Sequence, residues 1–229
     1  MNMAKKKDKT EEQFAAVEET LTRSEQWVEN NQKILSILVF GIVAIIALVL
    51  AFNKFYVEPL NEEAQEELFR SVNYFEADSF NLALYGVNGE YGLLDIIDEY
   101  SSTDAGNLAN YYAGISFLNM GDNESAIDYL SKFSSDDEVV SSIALGSMGD
   151  AYMNIGEFDD AIRFWTKAAF NSENNFTQPI YLKRAALALE EKGDIDRAIE
   201  YYSTIQKNYS KSEEARDIEK FIIRAKLKQ

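Results

Sequence analysis

Cysteine and histidine are both absent from the 229 residues of this chain. Without cysteine there is no disulfide, no thiolate nucleophile and no lipid attached through sulfur. Without histidine there is no imidazole ligand for a metal and no triad in which imidazole acts as the base. Paired carboxylates or a Ser–Lys dyad are the catalytic designs left, and no spacing in the chain points to either, so the chain reads as a non-enzyme without cofactor or metal. Basic residues are scarce as well: 22 Lys and Arg stand against 39 Asp and Glu, a formal charge of −17. The deficit is localised. Residues 1–33 hold six basic and seven acidic side chains, whereas the chain after Phe52 holds 16 basic against 32 acidic. A domain of that charge repels phosphate backbones and anionic lipid surfaces, which excludes nucleic acid as a partner. Solubility is the plain reading of the acidity.

What is present is, first, an uncharged run over residues 34–52, ILSILVFGIVAIIALVLAF. As a helix rising 1.5 Å per residue it is roughly 28 Å long, against a bilayer hydrocarbon core of ~30 Å. A helix also satisfies its own backbone groups, which lipid cannot do. The run exceeds the ~7–15 apolar residues of a secretory signal and has 33 residues before it, so it reads as a retained membrane anchor. Trp27 before it and Phe55 and Tyr56 after it suit the two membrane interfaces. The tail carries Lys5, Lys6, Lys7, Lys9, Arg23 and Lys33, while residues 53–72 carry only Lys54 and Arg70. That bias places the tail in the cytoplasm and the large domain outside it. Residues 1–9 are expected to be irregular. Residues 10–30 are expected to form a short amphipathic helix with Phe14, Val17, Leu21 and Val28 on one face.

After the anchor, Pro59 is expected to stop the span from extending rigidly. A new helix is expected over residues 61–77, from the spacing of Ala64, Leu68, Val72 and Phe75, and a break over 78–92, where Gly86, Gly89 and Gly92 fall. A further helix is expected over 93–100 and a turn over 101–106. From there the chain repeats. Gly121, Gly156 and Gly193 open GDNESAIDYL, GEFDDAIRFW and GDIDRAIEYY, at intervals of 35 and 37 residues. Five residues after each glycine comes Ala126, Ala161 or Ala198. Nine residues after come Leu130, Trp165 and Tyr202. Seven residues before come Gly114, Gly149 and Ala186, and four before come Phe117, Tyr152 and Leu189. Antiparallel helices approach closely only where a small side chain faces its neighbour, and large ones then fill the gaps. The glycine supplies the positive-φ end of a first helix, and the acidic residues after it suit the N-terminus of a second.

This small–large–Gly–Ala–aromatic pattern resembles the tetratricopeptide repeat family over about 107–210, in three repeats. The family's proline near the repeat end is missing, with Glu138, Glu173 and Ser210 in its place. The resemblance implies an all-α fold: a single N-terminal transmembrane helix followed by a tetratricopeptide-repeat α-solenoid with a C-terminal capping helix. The expected divisions are a tail at 1–33, the span at 34–52, a membrane-proximal helix pair at 53–106 as a diverged first repeat, and three repeats with a closing helix at 107–229. In that closing helix, over 211–227, Ile218, Phe221, Ile222 and Ala225 face inward to cover the last apolar surface.

Such arrays bind peptides or helices on a face lined by the first helix of each pair. In this chain the resemblance assigns that lining to Tyr111, Ile115 and Leu118, then Gly146, Asp150 and Met153, then Lys183, Leu187 and Glu190. Only Lys183 and the neighbouring Arg184 are basic, which argues against a clamp for C-terminal carboxylates and for an apolar or helical ligand. The alternative is that Tyr111, Ile115 and Leu118 simply pack inside the array.

The layout as a whole is similar to the YfgM-like family, on architecture and on segments such as NLANYYAGISFLNMGD and RDIEKFIIRAKLK. That resemblance implies an ancillary subunit of the SecYEG protein translocon in the bacterial inner membrane, with a cytoplasmic N-terminus and a periplasmic repeat domain. The implied partners are translocon subunits, a membrane-anchored periplasmic chaperone of the prolyl isomerase class, and nascent or unfolded envelope proteins. The alternatives are a membrane-anchored regulator that sequesters a signalling component and an envelope assembly scaffold unrelated to Sec.

Overall fold

The computed structural model of the chain describes the backbone of residues 4–229 and the side chains of Trp27, Val28 and residues 30–229. These residues form two units, one ending at Glu58 and one running from Pro59 to Gln229. All regular structure among them is helical.

The first unit is one long helix, α1, Ala4–Phe52, ending in a π-turn at Asn53–Val57. This corrects two expectations. Lys5 to Lys9 are helical rather than irregular, and the tail helix does not stop near residue 30. The physical reason is that no glycine or proline precedes Gly41, and Lys, Glu, Gln and Ala are all good helix formers. The stripe of Phe14, Val17 and Leu21 lies outside the described side chains. In the apolar run, Ile37, Phe40 and Leu48 are 67, 74 and 71 % exposed. None of the run is buried within the protein, and it is long and apolar enough to cross a membrane. Each large apolar side chain left in water forgoes about 1.5–3 kcal/mol of burial, so such a helix is at home in hydrocarbon.

The α-helical span ends at Phe52, but helical backbone continues through Pro59 rather than resuming at Asn61. Pro59 falls at the second residue of α2, Glu58–Glu76, just after the π-turn. The Glu58 N–H donates to the Asn53 carbonyl, five residues back, in place of the usual four. A wider turn of this kind accommodates a residue that has no N–H to give.

The second unit continues with α3, Phe80–Tyr85, and α4, Leu93–Glu99. The expected break over 78–92 therefore contains a helix, and the expected helix pair at 53–106 is a set of three. Ala83 and Leu84 of α3 are fully buried beside Leu68, Leu93 and Ile96. That burial outweighs the weak helical tendency of so short a segment. The loop after α3 doubles back closely: a Cβ on Gly86 would sit 2.1 Å from the Glu90 carbonyl oxygen, and one on Gly92 2.3 Å from that of Leu84. The Ser71 hydroxyl of α2 donates to the Tyr91 carbonyl at 2.9 Å and fixes the loop on α2.

Three helix pairs follow: α5, Asp104–Met120, with α6, Asn123–Lys132; α7, Glu138–Asn154, with α8, Phe158–Phe170; and α9, Thr177–Lys192, with α10, Ile195–Asn208. The three turns inside the pairs share one geometry. Gly121, Gly156 and Gly193 have φ of +85°, +84° and +87°. Each donates its N–H to the carbonyl three residues back, and the next residue donates five residues back, to Phe117, Tyr152 and Leu189. This double closure satisfies carbonyls that a helix end leaves free. Asp122 and Asp194 then cap the second helices by accepting from the Ser125 and Arg197 N–H groups, and Asp137 caps α7 by accepting from Val139 and Val140. Part of the acidity is thus used at helix starts.

Within each pair the two helices meet at a small residue. A Cβ on Gly114 would stand 2.5 Å from Leu130 Cγ, and one on Gly149 would stand 2.4 Å from Trp165 Cδ1. Ala186 in α9, with Ala198 and Tyr202 in α10, is fully buried. Ala126 and Ala161 are fully buried as well, and Tyr152 stacks on Phe164 with ring centres 5.1 Å apart. A short helix α11, Ile218–Lys226, packs on α10. Its Ile218, Ile222 and Ala225 are buried and Phe221 is half-buried in the cluster around Leu189, Tyr202 and Ile205. The remainder of the expected closing segment, 211–217, forms turns.

The close approach at Gly149 gives a direct test. Gly149→Ala is expected to destabilise the second unit by about 1–3 kcal/mol in denaturant unfolding, because the indole has no room to retreat. Combining it with Trp165→Leu should recover part of that loss, and strictly additive effects would show that the two do not touch.

Candidate functional site

The face assigned to ligand binding is made by the first helices α5, α7 and α9, which neighbour one another along the array. The structure divides its expected members into three kinds. Tyr111 and Ile115 are half-buried and pack with Leu130, Ala144 and Met148. The Tyr111 ring lies 5.5 Å from Tyr112 and 5.2 Å from Phe133, centre to centre. Burial, with a smaller contribution from Tyr112, raises its phenol above the ordinary range. Leu118 packs on the neighbouring cluster with Ala113 and Phe117. Met153 and Leu187 are half-buried beside Tyr181 and Leu182. Each of these apolar side chains keeps part of its surface accessible while packing on a core cluster.

Gly146 is the second kind, a place where a neighbour fills the space. The Tyr181 ring lies over it, so that a Cβ would be 2.0 Å from ring carbons. Desolvation drives the Tyr181 phenol up to about 12, with the Arg184 charge opposing and Asp150 adding to it.

The charged members are the third kind, and all are already engaged. Asp150 accepts from Trp165 Nε1 at 2.9 Å and pairs with Arg184. Lys183 pairs with Asp217 at 3.3 Å and sits 5.0 Å above the Phe221 ring. Glu190 accepts from Arg224 at 2.8 and 2.6 Å, from Tyr202 at 3.0 Å, and pairs with Lys228 at 2.8 Å. The spacing is informative: residues 150 and 184, 183 and 217, and 190 and 224 are each 34 apart. A separation of 34 is close to the repeat intervals of 35 and 37, so these pairs staple each first helix to the one that follows, α7 to α9 and α9 to α11. The same offset shows that α11 stands where the first helix of a further repeat would be.

Glu190 is 3 % exposed. Desolvation alone would raise its carboxyl, but hydrogen bonds from Arg224, Lys228 and Tyr202 outweigh it and hold the group at about 2. Sequence reasoning placed Glu190 in the ligand face and missed this clasp; a buried acid close to one repeat length before an arginine was the available signal. Among the described residues, no group of three or more acidic side chains is arranged to hold a metal.

These stacked antiparallel pairs define a helical-repeat scaffold. The tetratricopeptide repeat profile matches residues 108–136 and 181–212, the α5–α6 and α9–α10 pairs. The α7–α8 pair between them has the same glycine turn and the same small-against-large contact. The chain thus carries tetratricopeptide repeats, a protein-interaction architecture, after an apolar helix long enough to anchor it in a membrane. No curated protein sequence matches it.

The staples differ in their expected worth. Arg184→Ala opens an exposed pair and should reduce stability by under about 1 kcal/mol. Arg224→Ala leaves the buried Glu190 carboxylate with one cation fewer and should cost about 3 kcal/mol. Equal effects in urea unfolding at neutral pH would contradict the clasp. The acid dependence follows from the depressed carboxyl: its contribution is complete above the ordinary value of 4.5 and is lost as pH falls towards about 2. Glu190→Gln should therefore be less stable than the parent at pH 7 and lose less stability than the parent between pH 4.5 and 2.

Proposed function

We propose that this protein is a non-enzymatic, membrane-anchored scaffold of the bacterial envelope, an ancillary subunit of the Sec translocon. It brings a periplasmic chaperone of the prolyl isomerase class to secretory and outer-membrane proteins as they emerge. The observation that carries the reading is the pairing of an unburied apolar span with a repeat array. The span supplies a surface that only lipid or another membrane helix satisfies, and the repeats supply a rigid platform for protein partners. Lys and Arg concentrated before the span support a cytoplasmic tail and a periplasmic array. The half-exposed Tyr111, Ile115, Leu118, Met153 and Leu187 favour an apolar or helical ligand. Asp150 and Lys183 do not favour a carboxylate clamp, since each already has a partner. Tethering keeps a chaperone at an effective concentration on the order of millimolar near the channel exit without any new contact.

Orientation is readily tested because the chain has no cysteine of its own. Thr10→Cys should resist a membrane-impermeant maleimide in intact spheroplasts, and Ser210→Cys should react; the reverse pattern contradicts the orientation. A photoreactive residue at Gly41 is expected to capture a translocon subunit, and one at Leu187 a membrane-anchored prolyl isomerase. Capture of neither would overturn the translocon assignment.

A further inference from the structure

A second feature of the array lies away from the ligand face. Between α8 and α10, closed at one end by the α9–α10 turn, is a cleft of about 600 Å³. Its floor is Ile162 and Leu189, and its rim carries four cations, Arg163, Lys167, Lys192 and Arg197, against two carboxylates, Asp159 and Asp194. That is an inversion of sign in a region where acids outnumber bases two to one. Lys192 pairs with Asp159, Arg163 with Asp160, and Arg197 with Asp194 at 3.4 Å. All three pairs are well exposed, and exposed pairs are held weakly. Among the described residues Lys167 has no carboxylate partner; its ammonium rests 5.1 Å from the Phe164 ring. Thr166 also lines the cleft, and its hydroxyl oxygen is shielded from solvent with no hydrogen-bond partner among the described residues. A shielded hydroxyl without a partner is unfavourable unless something else satisfies it.

We propose that this cleft binds a small, multiply charged oxyanion, with Lys167 and Arg163 as its principal cationic contacts and Thr166 as a hydroxyl donor. The volume lies in the range that small ligands occupy. Phosphoryl and carboxylate groups share the chemistry that would be recognised, since both accept charge-assisted hydrogen bonds from ammonium and guanidinium. The proposal stands apart from the translocon assignment: it uses none of the residues of the ligand face, and it holds or fails whatever the array docks to.

The experiment is calorimetric titration of the full chain in lipid nanodiscs with inorganic pyrophosphate and, separately, citrate, at matched ionic strength. Saturable binding of at least one is expected, weakened about tenfold by Lys167→Ala, the effect of losing one charge-assisted contact. Thr166→Val is expected to weaken binding as well. Circular dichroism confirms that both variants stay folded. Tighter binding of pyrophosphate would identify a phosphorylated ligand, and tighter binding of citrate a carboxylated one. Failure of both anions to bind, or equal affinity in the parent and a folded Lys167→Ala variant, would overturn the proposal.

Discussion

No helix pair in this protein can bury its apolar face alone, and the rest of the structure follows from that constraint. The α9–α10 pair shows it. Leu189, Tyr202 and Ile205 are covered from outside the pair, by Ile218, Phe221 and Ile222 of α11. Each such apolar side chain contributes about 1.5–3 kcal/mol on burial, so three together outweigh any single ion pair in docking a nine-residue helix. The buried Glu190, gripped by Arg224, Lys228 and Tyr202, selects the register in which that apolar contact is made. Hydrophobic burial sets whether α11 docks, and the charge cluster sets where.

The same division of labour runs through the array. Glycine and alanine at the crossing points decide how near two helices come, and the large residues opposite them decide what fills the gap. Gly149 and Trp165 do both at one contact: the indole lies against the bare backbone of α7 and its N–H is held by Asp150 and by the Gly146 carbonyl at 3.1 Å. Asp150 then reaches Arg184 in the next repeat. One small residue, one large residue and one carboxylate thus link the interior of a pair to its neighbour. A scaffold built this way is stiff along its length, which suits a part whose work is to hold partners at fixed positions.

How much of this was legible in the sequence depends on the range of the interaction. The glycine turns, the small–large crossings and the inward face of α11 were legible because they repeat at a fixed period and rest on local geometry. The long α1 was misjudged at its start and at the junction with the apolar run, since lysine-rich and polar stretches read as irregular when nothing in them breaks a helix; its end at Phe52 is where the sequence put it. Pro59 read as the end of rigid extension because the compensating π-turn has no sequence signature. The α3 helix was hidden because six residues ending at Gly86 are too few to show a periodicity, and Ala83 and Leu84 are helical through what they pack against. The ligand face was legible as a set of positions but not as a set of free side chains. Whether Asp150, Lys183 and Glu190 stand open or hold the next repeat depends on partners 34 residues away.

The claim that repeats stand only when their open end is covered is tested most directly by ending the chain after Asp217 and following amide hydrogen exchange in the membrane-bound protein. The account predicts that α9 and α10 lose protection together while α5 and α6 keep theirs, because the uncovered surface belongs to the last pair alone. Protection of α9 and α10 at the level of the whole chain would contradict it and would show that each pair is stable without the helix that follows.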